Sequence, residues 1–144
     1  MVFTTQVTIE RPRQRVLELI RNPDNFPKWQ PGLVSVELIS GGKDQVGSKS
    51  RVIYEMRGIR LPVTETIIKH SPPDVFVSSY EARGVKNVSE NRFFEDGPDA
   101  TRWVLINDFK FTGLMSVMGL FFQDAVPKQT LESMQRFKAF AESS

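Results

Sequence analysis

Apolar and polar positions alternate from Phe3 to Ile9, with Phe3, Thr5, Val7 and Ile9 on one side and Thr4, Gln6 and Thr8 on the other. A period of two predicts a strand with one buried face. Glu10-Arg11-Pro12 interrupts it, and Pro12 suits the start of a helix. Val16, Leu17, Leu19 and Ile20 then form an apolar stripe, so Arg13 to Arg21 reads as a short amphipathic helix that stops at Asn22-Pro23-Asp24. Phe26 to Gly32, with Trp29 between Pro27 and Pro31, reads as a turn or single-turn helix packed by aromatics. Leu33 to Ile39 is a second strand, followed by the turn pair Gly41-Gly42.

A meander follows. Strands are expected at Ser48–Arg57, Arg60–Lys69, Val75–Ala82, Val85–Phe94 and Thr101–Thr112, punctuated by Gly58, Ser71-Pro72-Pro73, Gly84, Glu95-Asp96-Gly97-Pro98 and Gly113. Short strands joined by short turns pair as antiparallel hairpins. From Leu114 to Glu142 the spacing becomes helical. Leu131, Met134, Phe137 and Ala141 share a face, with Phe140 beside it, and Pro127 should kink or break the helix. The segment Leu114 to Phe122 is apolar nearly all round, which suits either a buried helix start or a movable wall at a pocket mouth, with Gly113 and Gly119 as hinges. The expected class is α+β: a seven-stranded curved antiparallel sheet wrapped around a long C-terminal helix, with two short helices between strands one and two. Residues 1–144 form a single domain. A wide sheet curls, and a curled sheet around one helix encloses volume that suggests a pocket.

Composition narrows the function classes. The net charge is +2, and basic residues alternate with acids, so no nucleic-acid footprint is expected. There is no cysteine, which excludes disulfides and thiolate chemistry. No apolar run approaches the length of a membrane span. The N-terminus lacks the pattern of a signal peptide, so the expected location is cytoplasmic. His70 is the only histidine. It lies at a strand end, where a surface or edge role is the ordinary one. The acids show no metal-ligand spacing, and no metal or cofactor is expected.

The candidate site follows from strand faces. In strand four Leu61, Val63, Glu65 and Ile67 alternate with Pro62, Thr64, Thr66 and Ile68, so Glu65 falls among aliphatics on the concave side. It is a candidate proton donor or anchor for a ligand's polar group. The alternative is a plain ion pair with Arg51 or Arg57, should either point inward. In strand seven Trp103, Leu105, Asn107, Phe109 and Phe111 share a face, which makes Asn107 the polar group of an aromatic wall. Tyr54 lies with Val52 and Met56, and Tyr80 with Phe76, and each could offer a hydroxyl to the same cavity. The expected lining is Val52, Tyr54, Met56, Val63, Glu65, Tyr80, Trp103, Asn107, Phe109, Phe121 and Met134. The candidate catalytic residue is Glu65.

The chain resembles the SRPBCC, or START-like, superfamily with its helix-grip fold, in its polyketide cyclase/dehydrase and lipid-transport-like branch. The resemblance runs over nearly the whole chain. It rests on the opening strand with Arg11-Pro12, Val16 and Ile20, then Asn22-Pro23-Asp24 with Trp29-Gln30-Pro31, and Val36-Glu37. Val46-Gly47-Ser48, Ser71-Pro72-Pro73, the Thr101 strand and Phe137-Lys138 complete it. It implies a hydrophobic small-molecule ligand and leaves the activity open, because one fold hosts many functions. Three functions are compatible with the residues. The favoured one is a non-catalytic binder of a lipid, isoprenoid or polyketide-like molecule. The second is a polyketide cyclase/dehydrase-type enzyme using Glu65 with Tyr54 or Tyr80. The third is a protein-interaction module whose cavity is filled. A homodimer is compatible with each.

Overall fold

The computed structural model describes residues 1–56, 58–121 and 123–144, and for Met56, Met118 and Phe121 the backbone only. The expected architecture is present. Strands β1 (Val2–Ile9), β2 (Leu33–Ser40), β3 (Lys49–Met56), β4 (Ile59–Ser71), β5 (Val75–Ala82), β6 (Val85–Glu95) and β7 (Thr101–Phe111) form one sheet. Its order is β1-β7-β6-β5-β4-β3-β2, and every neighbouring pair is antiparallel. Helices α1 (Arg13–Ile20) and α2 (Phe26–Trp29) carry the chain from one edge of the sheet to the other. A 3-10 turn at Pro23–Asn25 lies between them, capped where Asp24 N–H donates to the Asn22 side chain at 3.0 Å. The strands then meander back until β7 pairs with β1.

The C-terminal segment is two helices, α3 (Leu114–Phe121) and α4 (Ala125–Glu142). Sequence reasoning put the interruption at Pro127. The break instead precedes it, and Pro127 occupies the first turn of α4, where a backbone N–H has no intrahelical partner to lose. The expected hinge at Gly119 is a close contact instead. Gly119 is buried, and a Cβ there would stand 2.8 Å from the Phe111 ring. Helix α3 thus rests on the end of β7 through a residue chosen for its lack of a side chain.

The core forms where α4 crosses β1 and meets α2 and α1. Ile9, Val16, Met134, Phe137 and Ala141 are fully enclosed there, around Trp29, Phe93 and Trp103. The rings meet edge to face: Trp29 is 5.3 Å from Phe137 and 6.1 Å from Trp103, and Trp103 is 5.6 Å from Phe137. Such contacts add to burial of the large rings. The Trp103 indole N–H donates to Asn91 Oδ1 at 2.9 Å. The far end of α4 is tied to the end of β1. Glu142 Oε2 accepts from Glu10 N–H and from Lys138 Nζ, both at 2.7 Å. These bonds, the backbone one first, hold the Glu142 carboxyl below its ordinary value.

Candidate functional site

Residues directly opposite on neighbouring strands share a face, so the register assigns every side chain to the inside or the outside of the bowl. Trp103 and Val7 are opposite each other and belong to the core under α4. Their face is therefore the inner one, and alternation along β7 brings Leu105, Asn107 and Phe109 to the same side. One inner row runs Ser50, Glu65, Tyr80, Asn87, Phe109 across β3 to β7. The next runs Ile67, Ser78, Ser89, Asn107, Phe3. Tyr54 lies opposite Leu61, and Val52 opposite Val63.

The outer face has a different character. Glu37, Arg51, Thr64, Glu81, Lys86 and Lys110 form a row there, and Lys86 pairs with Glu81 at 3.6 Å. Arg51 is thereby removed as an inward partner for Glu65. Arg57 lies outside the described residues. Among the described residues Glu65 makes no ion pair.

The expected lining residues fall into two groups. Val52, Val63, Trp103 and Met134 are buried, and the last two belong to the packed core. Thr5 Oγ1 donates to Met134 Sδ at 3.1 Å. Tyr54, Glu65, Tyr80 and Phe109 face inward yet stay half-buried, as does Leu105. Aromatic rings fill the bowl beneath α1 and α2. Toward α3 the inward side chains are lined up but not closed over. The side chains of Met56 and Phe121 lie outside the described residues.

Three inner groups have a defined electrostatic state. The Tyr54 hydroxyl is pushed up to about 12, chiefly by burial and then by the negative charge of Glu65. Tyr80 is pushed well above its ordinary value. Burial is again the main cause. The charge of Glu65, the neighbouring Tyr54 and hydrogen bonding toward Glu65 add to it, and Ser78 opposes it. Both hydroxyls thus stay protonated beside a carboxylate, and both keep some accessible surface while surrounded by protein.

Asn107 is held by a network that sequence reasoning missed. Its Oδ1 accepts from Asn87 Nδ2 at 3.1 Å and from Ser89 Oγ at 2.5 Å, and Ser89 Oγ also lies 2.8 Å from Asn87 Oδ1. All three residues are buried. With both lone pairs of its carbonyl oxygen engaged, Asn107 has only its amide N–H groups left for another partner. Strand β6 gave no sign of this in advance, because it carries polar residues on both faces.

At the α3 end, Met115 packs against the turn at Gly84, where a Cβ would come within 2.7 Å of Met115 Cγ. Leu114, Val117 and Leu120 point outward and are 80%, 56% and 68% exposed. An apolar helix face thus borders the open part of the bowl. Among the described residues no group of three or more His, Cys, Asp or Glu could hold a metal ion, and no helix is long and apolar enough to cross a membrane.

A curved antiparallel sheet packed around a long C-terminal helix defines the helix-grip class. Within that class the chain belongs to the family described as "Polyketide cyclase / dehydrase and lipid transport", whose model matches residues 1–141. Solved structures agree on the fold. An aromatase/cyclase, Zhui, from Streptomyces sp. R1128 is 18% identical, with a TM-score of 0.79 over 99% of this chain and 93% of that one. A START superfamily protein from Mycobacterium smegmatis is 15% identical, with a TM-score of 0.74 over 99% and 97% of the two chains. A conserved protein from Geobacillus kaustophilus is 14% identical, with a TM-score of 0.74 over 100% and 97%. No curated protein matches the sequence.

Proposed function

We propose that the protein binds a hydrophobic small molecule, of lipid, isoprenoid or polyketide-like character, between the inner face of the sheet and the C-terminal helices. The observation that carries this reading is the half-buried state of Tyr54, Glu65, Tyr80, Leu105 and Phe109 on the inner face. Side chains that merely filled a core would be closed over by α4, as Trp103 and Ile9 are. Helix α4 packs chiefly on β1, α2 and α1, which leaves the inner surface of β3 to β5 to another occupant. The apolar groups would supply affinity through burial, and Asn107, Tyr80 and Glu65 would orient the polar end.

A catalytic reading is favoured by one feature. A protonated tyrosine beside a carboxylate can donate to a carbonyl oxygen while the carboxylate accepts a proton, the pairing that cyclisation or dehydration of a carbonyl compound requires. Native mass spectrometry of the purified protein tests the binding reading. A co-purified mass of lipid or polyketide size, lost on organic extraction, is the expected result. A bare chain that also gains no thermal stability from any apolar compound would overturn it.

A further inference from the structure

Among the described residues, the part of the inner face around Tyr80 carries an acid and no base. Along the row Ser50, Glu65, Tyr80, Asn87, Phe109 and the rows beside it, Glu65 is the one ionisable group other than the tyrosines. The cations of β3 and the β6–β7 pair, Lys49, Arg51, Lys86 and Lys110, are turned to the outer face, and Lys49 Nζ bonds Thr66 there at 3.3 Å. Helix α4 presents Leu131, Met134 and Phe137 to the core. Among the described residues, Arg21 and His70 approach the concave side at the far end of β5. There His70 meets the Phe76 ring at 5.1 Å, and the Arg21 guanidinium covers the same ring at 5.1 Å. Phe76 is four residues from Tyr80, about 13 Å along a strand.

From this arrangement we infer that the site selects uncharged ligands bearing a hydroxyl group and rejects carboxylates of the same shape. The inference rests on the binding reading above and names the chemical class of its ligand. A hydroxyl suits the groups available. Its hydrogen can reach the Glu65 carboxylate, and its oxygen can accept from the Tyr54 hydroxyl, which stays protonated near Glu65. A ligand carboxylate would bring a second negative charge beside Glu65, with no cation in that row among the described residues to offset it. Two like charges a few ångströms apart in partly desolvated surroundings repel strongly enough to weaken binding by tenfold or more. An anionic fatty acid is therefore a poor occupant, and a neutral alcohol or phenol a good one.

The test compares 2-naphthalenemethanol with 2-naphthoate, the same bicycle with a neutral or an anionic head, by isothermal titration calorimetry at neutral pH. The expected result is at least about tenfold tighter binding of the alcohol by the wild-type protein. Glu65→Gln should bring the two affinities to within about threefold, mainly by admitting naphthoate. Equal affinities in the wild type would overturn the inference while leaving the binding site intact. Discrimination that survives in Glu65→Gln would overturn the assignment to Glu65. Failure of both compounds to bind the wild type would overturn the binding reading, and this inference with it. The wild-type ratio needs no variant, so it decides the matter even if Glu65→Gln does not fold.

Discussion

At the scale of single residues, the inner face is governed by what burial does to groups that ordinarily ionise. The chain has two tyrosines, and both lie on the inner face near Glu65. In the unfolded chain each would ionise near 10.0, whereas the folded protein holds both protons to higher pH. The native state therefore binds more protons than the unfolded one above that point. Stability is unaffected below about pH 10 and falls as pH rises toward about 12. Tyrosinate absorbance followed against pH should stay flat past about pH 11 and then rise together with loss of the folded far-ultraviolet signal. Two independent titrations near 10 in a folded protein would contradict it. Asn107 gives a second prediction. Asn107→Leu removes the acceptor shared by Asn87 and Ser89, whose donors keep the Asp108 carbonyl oxygen at 3.3 Å and Asn87 Oδ1 at 2.8 Å, and should cost about 0.5–1.5 kcal/mol in urea denaturation. Glu65 was legible from the alternation of β4, since its aliphatic neighbours Val63 and Ile67 mark the inner side. Asn87 and Ser89 were not. Strand β6 reads Val85, Asn87, Ser89, Asn91, Phe93 against Lys86, Val88, Glu90, Arg92, Phe94, and neither set is plainly the apolar one.

At the scale of elements, the strands were readable because period-two alternation is strong in β1, β4 and β7 and turn glycines separate the hairpins. The C-terminal segment was harder. Residues 114–142 have apolar positions at helical spacing throughout, so pattern alone gives one helix. Only the backbone distinguishes a proline that breaks a helix from one that opens it, as Pro127 does in the first turn of α4. The two helices differ in how they are held. Helix α4 buries Met134, Phe137 and Ala141. Helix α3 rests on β7 and on the Gly84 turn and leaves Leu114, Val117 and Leu120 exposed. Local stability follows buried contact. Amides of 114–121 should therefore exchange with solvent faster than those of 128–140, and should slow when an apolar ligand enters. Equal protection of both stretches in the empty protein would make α3 a fixed part of the core.

At the scale of the whole molecule, the fold separates stability from function. The aromatic cluster around Trp29, Trp103 and Phe137 closes one end of the bowl, where α4 packs on β1 and meets α1 and α2. The remainder of the inner face, from Tyr54 across Glu65 and Tyr80 to Phe109, is half-buried and lies outside the main packing of α4. This division was only half visible in the sequence. Trp103 and Met134 were expected to face the ligand because they share a face with Asn107 or with Phe137, and alternation carries no information on how far along a strand the helix lies. The central claim is that an apolar molecule occupies that remainder. Two-dimensional NMR of the labelled protein, titrated with 2-naphthalenemethanol, tests it most directly. Saturable shifts should concentrate at Tyr54, Glu65, Tyr80, Leu105, Asn107 and Phe109 and spare the outer row of Arg51, Glu81 and Lys110. Shifts confined to the outer face or to the exposed side of α3, with the inner residues unmoved at saturation, would contradict it.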